Sequence, residues 1–561
     1  MSVRGFLCLR KFGTDVKTTK FFTTPIYYVN ANPHIGHLYS SLIADAAQRW
    51  QQMSESGTKI KFSTGTDEHG SKIQQAANKN NTSPSVYCDK ISSEFEKLAQ
   101  EFSIGCTDFI RTTSEGHKRT VQLFWNTLKN NDKFYLSKYE GWYCVPDETF
   151  LTESQLNETV GSDGKKILVS AESGHPVEWS SEENYMFKLS QYRDDLKHWL
   201  KTNENVVTPK KFHKILQDFL DQDDGLQDLS VSRPTSRVSW GITVPDDPSQ
   251  SVYVWLDALT NYLTVAGYGN DDELFKRTWP PDVQVIGKDI LKFHGIYWPA
   301  FLLAANLELP KSIFCHSHWT VDNEKMSKSK GNVVCPFETA KTYTTDGVRY
   351  FLLREGVAHS DGNYSDVKVL RTLNSELADT LGNLLSRCTG SALNPNQKFP
   401  KIDKNVLEEL KKSDTTKRLI ENVENLPDTC KNHYETLNFY KTIDAILATL
   451  HSANLFFETL KPWELKKSPE THPHLDVVLH LTLETLRVTG ILLQPIIPNM
   501  SQTLLDKINV GNSERNFCDA KKVSWRDVGF KEKDLSTDKI VLFRRIVSED
   551  DKDKKVKGRK G

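Results

Sequence analysis

No stretch of this 561-residue chain holds the roughly 18 to 20 consecutive apolar residues that a membrane-spanning helix needs, which excludes a helical membrane protein. Cysteine is scarce and scattered. The nine residues (Cys8, Cys88, Cys106, Cys144, Cys315, Cys335, Cys388, Cys430, Cys518) include no Cys-x-x-Cys pair. That argues against a disulfide scaffold and a structural zinc knuckle, and points to a reducing interior. An excess of either charge is missing too. Seventy-two Lys and Arg face 73 Asp and Glu, so the field of the whole protein does not announce a nucleic-acid partner. Any RNA would have to be drawn by local basic surface. Internal repeats are absent.

Acidic residues are nearly lacking from the first twenty positions, where Arg4, Arg10, Lys11, Lys17 and Lys20 face only Asp15 and where Phe6, Leu7 and Leu9 sit beside the arginines. Residues 1–20 therefore have the character of an organelle-import leader.

What is present exceeds a single core: a soluble chain of this length divides into roughly three or four domains. Phe21 to Val29 is aromatic and β-branched and reads as a strand, and His34 to Met53 follows with a helical pattern of Leu38, Leu42, Ile43 and Ala46. A second strand over Ile60 to Ser63 leads into Thr64-Gly65-Thr66-Asp67-Glu68-His69-Gly70 and another helix, the opening of a parallel α/β sheet of Rossmann type. Periodicity breaks into short strands between Phe134 and Tyr185, as in an insertion. Strand character resumes at Ser251 to Leu256 and Val283 to Ile286. Beyond Val367 the pattern is helical through Leu505, as in a helix bundle. The expected organisation is a first catalytic half over 21–133, a small connective insertion over 134–200, a second catalytic half over 201–320, a loop and connecting region over 321–370, a helical domain over 371–540 and a charged, disordered tail over 541–561.

Two motifs carry chemistry. His34-Ile35-Gly36-His37 stands where a strand gives way to a helix, and unpaired N–H groups with two imidazoles at a positive helix end suit an anion. Lys325-Met326-Ser327-Lys328-Ser329 lies in a loop between Trp319 and Val333, where two lysines and two serines can fold over a triphosphate and neutralise charge as pyrophosphate leaves.

The pair resembles the two signatures of class I aminoacyl-tRNA synthetases. Thr24-Pro25-Ile26-Tyr27-Tyr28, the Thr64–Gly70 segment, Tyr253-Val254-Trp255-Leu256-Asp257-Ala258-Leu259 and Ile286-Gly287-Lys288-Asp289-Ile290 are similar to the methionyl-tRNA synthetases in particular, from Phe21 to beyond Trp463. The resemblance implies a Rossmann catalytic domain, a helical anticodon-binding domain, and formation of methionyl-adenylate from methionine and ATP with Mg²⁺, followed by transfer to tRNA(Met). It makes His34, His37, Lys325 and Lys328 the catalytic groups, with Gly36, Gly287, Asp289 and Ser327 also on ATP. It assigns Asp67 to the amino group of methionine, and Ile26, Tyr28, Trp255, Ala258, Leu259, Tyr262, Ile290, His294 and Trp298 to its side chain. A thioether is polarizable and favours aromatic contact, which suits such a set. Ile290, Phe293, His294, Tyr297 and Trp298 also share one face at helical spacing. Asn383, Arg387 and Trp463 would read the anticodon by hydrogen bonding and stacking.

The insertion departs from much of the family. Asp147 stands where a second cysteine would follow Cys144, and only His175 remains downstream, so no metal site and no structural zinc are expected. A zinc-free insertion with a basic leader resembles the mitochondrial form, which implies the mitochondrial matrix. Synthetases for leucine, isoleucine or valine carry a much larger editing insertion than the span from Phe134 to Trp240 allows. No dimerisation domain is evident, and a monomer is the expectation.

Overall fold

The computed structural model describes every residue except 1–16, 145–148, 161–165, 172, 223–225, 327–330, 528 and 548–561. Strand β1 (Thr19–Thr23) starts two residues earlier than expected, because Thr19 and Lys20 pair with Lys59 and Ile60. Lys17 also belongs to the fold, its ammonium 2.6 Å from Asp282 and its pKa lowered to about 8 by burial. The region 1–20 assigned to a leader thus overlaps the first strand. The single strand expected over Phe21 to Val29 is interrupted, since Pro25 has no N–H to give a ladder. Pairing resumes only at β2 (Tyr27–Tyr28). Helix α1 (Ile35–Ser54) follows, capped by His34. Strand β3 (Lys59–Asp67) runs four residues past the expected Ser63, so that Asp67 ends the strand itself.

Two compact units form. The first holds the chain up to Asn32, Thr58–Glu96 and Cys106–Cys315; the second holds Pro33–Gly57, Lys97–Gly105 and the chain from His316. Helix α1 is thereby grouped with the C-terminal half rather than with the strands that flank it.

The first unit is built on a seven-stranded sheet. Beyond β1 to β3 its strands are β4 (Asp108–Arg111), β5 (Val207–Thr208), β6 (Val283–Gly287) and β7 (Ile313–His316). The order is β5-β7-β6-β1-β3, with both β2 and β4 paired to β3, and β1 runs parallel to both β3 and β6. Its main core packs Phe21, Val121, Phe124, Trp125, Tyr262, Ile286, Trp298 and Phe301. The run expected as a strand over Ser251 to Leu256 divides: Asp247–Val252 is an antiparallel strand, and Val254–Leu259 is a short helix. In the insertion, Phe134–Cys144 pairs antiparallel with Glu178–Phe187, while Arg193–Thr202, which starts inside the same expected span and runs past its end, is helical. Tyr143 lies under two guanidinium groups, Arg237 at 4.1 Å and Arg233 at 5.6 Å from its ring centroid, and Cys144 beside it is fully buried. Among the described residues no three His, Cys, Asp or Glu gather as a metal-binding group, and Asp147 lies outside those residues.

The second unit is mainly helical, with Asp414–Glu435, Phe439–Leu460, His472–Leu493 and Pro498–Lys507 as its long members. Residues 541–547 are not a free tail. Phe543 is buried, and Ile546 exchanges two 2.8 Å hydrogen bonds with the Asn374 amide. Among the described residues no helix is long and apolar enough to cross a membrane.

Arg349, fully buried, ties α1 into this unit. Its guanidinium donates to Asp45 on α1 at 2.7 Å and to the carbonyls of Phe102 and Ile496, both at 2.9 Å. Arg49 and the Gly105 N–H reach the same carboxylate, each at 2.8 Å. Burial raises the Asp45 pKa, but the two guanidiniums and the Gly105 hydrogen bond outweigh it, so the carboxyl sits below its ordinary value. Removing one partner of a buried pair leaves an uncompensated charge and costs about 3 to 5 kcal/mol. Arg349→Met is expected to lose about 3 kcal/mol of stability in urea unfolding, near the lower end because Arg49 remains. An unchanged midpoint would show that Asp45 is satisfied without Arg349.

Candidate active site

In the second unit the start of α1 organises two stacked imidazoles, His34 and His37, with ring centroids 3.8 Å apart. The Gly36 N–H donates to His34 Nδ1 at 3.1 Å, and the His34 N–H donates to His37 Nδ1 at 3.2 Å. Both Nδ1 atoms accept, so in each neutral ring the proton sits on Nε2. Burial, and then the neighbouring His34, push the His37 pKa well below its ordinary value, which leaves that ring neutral at pH 7. The expectation of unpaired N–H groups at the helix end is corrected here. The Ile35 N–H donates to the Val334 carbonyl at 3.2 Å and the Gly36 N–H is taken by His34. Gly36 has a related purpose: a Cβ there would stand 2.9 Å from His34 Cε1 and disrupt the cap.

That Cβ position is also 3.8 Å from the terminal methyl of Met326. Met326 follows the strand Glu324–Lys325, which forms a hairpin with Trp319–Val321 where a plain loop was expected. Ser327 and Lys328 lie outside the described residues, as does the side chain of Lys325.

The first unit gathers the apolar set. Leu259, Tyr262 and Trp298 belong to its main core, and Trp255 and Ile290 pack against it. Ala258 is buried and Ile26 half-buried. The regular helix expected from Ile290 to Trp298 is instead a 3₁₀ turn (Lys288–Ile290), a π turn (Phe293–Tyr297) and then α-helix from Trp298. The wider turn separates two sets. His294 and Trp298 point into the core beside Tyr262, while Phe293 stacks on Trp255 with centroids 3.6 Å apart. Such π turns recur at functional sites. Gly287 and Asp289 stand at the end of β6, Gly287 half-buried and Asp289 exposed.

His294 has a defined tautomer. Its Nδ1 lies 3.0 Å from the Ile290 carbonyl and must donate there, so Nε2 accepts from the Tyr262 hydroxyl at 2.8 Å. Burial lowers its pKa to about 4 against the carbonyl's opposing pull. The result is a buried ring with polar atoms but no charge.

Asp67 ends β3 beside Tyr28, its register partner. The loop that follows is fixed by residues that spacing alone did not single out. Glu68 is fully buried and takes a bidentate pair from Arg111 at 2.7 and 3.0 Å. The Trp240 indole donates to the Glu68 carbonyl at 2.6 Å. His69 meets Asp257 at 2.6 Å, and His117 meets the other oxygen of Asp257 at 2.7 Å. Glu68, His69 and Asp257 all lie inside the quoted motifs, and buried carboxylates there were the available signal.

In the helical unit, Arg387 pairs with Glu458 at 2.7 Å and lies 4.6 Å from the Phe457 ring centroid and 5.7 Å from that of Trp463. Trp463 is 38% exposed, more than a core residue would be. Asn383 is exposed one turn before Arg387 on the same helix (Asn383–Thr389).

This architecture agrees with its relatives. Residues 20–389 match the family of class I tRNA synthetases (M), and residues 406–559 match the anticodon-binding domain of methionyl-tRNA ligase. The chain is 49% identical over 507 residues to the mitochondrial methionine–tRNA ligase of Homo sapiens, covering 89% of this chain and 85% of that protein. It is 44% identical over 511 residues to a probable mitochondrial methionine–tRNA ligase of Dictyostelium discoideum, covering 89% and 88%. A Mycobacterium tuberculosis methionyl-tRNA synthetase in complex with methionyl-adenylate superposes with a TM-score of 0.86 at 34% identity, covering 94% of this chain and 100% of that one. A parallel-sheet unit, a histidine-capped helix and a helical anticodon domain are those of a class I tRNA synthetase. Within that class, the chain belongs to the methionyl-tRNA synthetase family.

The His294 pKa gives a signed expectation. A folded-state value of about 4 against the ordinary 6.5 means that the unfolded chain binds the proton first. Its contribution is therefore complete above pH 6.5 and lost as pH falls toward 4. Between pH 8 and pH 5 the wild type should lose about 2 kcal/mol more stability than His294→Gln. Equal losses in urea unfolding at the two pH values would contradict a buried neutral imidazole.

Proposed function

We infer that this chain is an ATP-dependent methionine–tRNA ligase serving translation in the mitochondrial matrix. The observation that carries the reading is the pair of neutral, Nε2-protonated histidines at the start of α1, in a chain whose two matched regions are the catalytic and anticodon-binding parts of one enzyme family. The methionine carboxylate attacks the ATP α-phosphate, pyrophosphate leaves, and the 3′-terminal ribose of tRNA(Met) then takes the acyl group. His34 and His37 donate to phosphate oxygens, and preorganised donors of that kind act where charge develops. Lys325, Ser327 and Lys328 neutralise the departing pyrophosphate. Gly36 and Gly287 allow close approach of ATP, and Asp289 accepts from its ribose.

Mg²⁺ accompanies ATP. Such ions are held through one or two carboxylates and the substrate's own phosphates, which fits a chain without a gathered donor set among its described residues. Asp67 pairs with the amino group of methionine. Ile26, Tyr28, Trp255, Ala258, Leu259, Tyr262, Ile290, His294 and Trp298 form the side-chain pocket. The Tyr262–His294 bond and the low His294 pKa support a dry, uncharged wall that suits a thioether. The relatives named above as mitochondrial support the compartment. The protein acts as a monomer.

Amino-acid-dependent ATP–pyrophosphate exchange across all twenty amino acids tests the reading, with methionine expected to dominate. Asp67→Ala should cost about 2 to 5 kcal/mol in kcat/KM for methionine, since a charged partner is lost. Exchange driven equally by another amino acid, or wild-type exchange in that variant, would overturn the assignment.

Asn383 and Arg387 read anticodon base edges, and Trp463 offers a stacking face. Arg387 beside the exposed Trp463 ring supports this pairing of a cation with an aromatic platform. Stacking is worth about 1 to 3 kcal/mol per base. Trp463→Ala should therefore lower tRNA charging by roughly one to two orders of magnitude while exchange stays near wild type. Parallel loss of exchange and melting temperature would mark Trp463 as a packing residue instead.

A further inference from the structure

One cluster in the first unit has no part in the chemistry above. Asp257 is 1% exposed and splits its carboxylate between His69 Nδ1 at 2.6 Å and His117 Nε2 at 2.7 Å. Burial raises its pKa, but the two histidines outweigh that and hold it at about 2, so it is ionised. His117 Nδ1 lies 2.9 Å from the Thr264 hydroxyl, which itself donates to the Thr260 carbonyl at 3.2 Å. The three side chains join three segments: the turn after β3, the helix Glu115–Asn130, and the helix Val254–Leu259.

The first and third of these carry the two ends of the substrate site. His69 is two residues beyond Asp67, and Asp257 lies between Trp255 and Ala258. We propose that Asp257, held between His69 and His117, is a positioning residue that sets the distance from the amino-group anchor Asp67 to the side-chain pocket of Trp255, Ala258 and Leu259, and so selects amino acids by length. The inference rests on the reading of Asp67 as that anchor. A charged carboxylate with two short hydrogen bonds resists displacement, because moving either histidine would leave it buried and underpaired. His69 otherwise meets Trp240 edge-on at 5.9 Å and borders a small hollow lined by Gly70, Tyr143, Arg233 and Tyr253.

The test measures exchange kinetics for methionine, for S-methylcysteine (one methylene shorter) and for ethionine (one longer) in the full-length enzyme. The variants are His69→Ala, His69→Asn and Asp67→Ala. A pocket discriminates one methylene by about 10- to 200-fold. His69→Ala is expected to raise the KM for methionine about tenfold and to narrow the preference for methionine over S-methylcysteine by a similar factor, with the KM for ATP unchanged. His69→Asn places an amide donor where Nδ1 stands and should restore most of both. A purely structural role would lower the melting temperature of His69→Ala while leaving the methionine KM and the length preference intact, and that result overturns the proposal. Impaired methionine use in Asp67→Ala with unaltered selectivity in His69→Ala also removes Asp257 alone, whereas normal methionine use in Asp67→Ala removes the anchor itself.

Discussion

A carboxylate taken out of water must be matched by opposite charge or by several hydrogen bonds, and the placing of α1 depends on one that is. Asp45, with no exposed surface, receives Arg349, Arg49 and the Gly105 N–H, while Arg349 spends its other donors on the carbonyls of Phe102, Pro495 and Ile496. A planar guanidinium can serve so many acceptors at once, and lysine could not. The two histidines that begin the same helix gain their fixed orientation from this, because a helix held three turns further on cannot rotate at its start.

The first unit repeats the device at its own working segment. Glu68 with Arg111, and Asp257 with two histidines, lock the turn after β3 from both sides. Buried pairs of this kind often add little net stability compared with apolar residues of the same size, since desolvation offsets attraction. What they contribute is uniqueness of position. Under the proposed reading, a segment that holds an amino group at one end and a thioether at the other gains more from fixed geometry than from a slightly more stable core.

Much of this was legible in the sequence, and the limits have physical causes. The start of α1 could be read because Asn30 to Pro33 end a strand pattern just before a helical one begins at His34. The helix at Val254 could not, since Tyr253, Val254 and Trp255 have strand propensities that the tertiary setting overrides. The π turn at Phe293–Tyr297 was hidden because the same apolar residues satisfy α and π spacing alike. Of the tail expected over 541–561, only Ser548 to Gly561 is nearly all charged, and Phe543 and Ile546 anchor the residues before it. Pairings such as Asp45 with Arg349, 304 residues apart, or Asp257 with His117, 140 apart, leave no trace in local periodicity. Family resemblance singled out Asp67 and Trp463, but the charge pairs of the neighbours of Asp67, Glu68 with Arg111 and His69 with Asp257, emerged only from the fold.

The division of labour among the histidines follows from the same accounting of protons. His34 and His37 accept on Nδ1 from backbone N–H groups, which leaves the proton of each neutral ring on Nε2. His294 does the reverse, donating from Nδ1 to a carbonyl and accepting on Nε2 from Tyr262, which turns a polar ring into an uncharged wall. His117 meets the Asp257 carboxylate with Nε2 and the Thr264 hydroxyl with Nδ1. One residue type thus appears as a helix cap, a buried uncharged ring and a carboxylate partner, and the backbone or hydroxyl partner on each ring sets its arrangement. Exchanging those partners would change the role without changing the histidine.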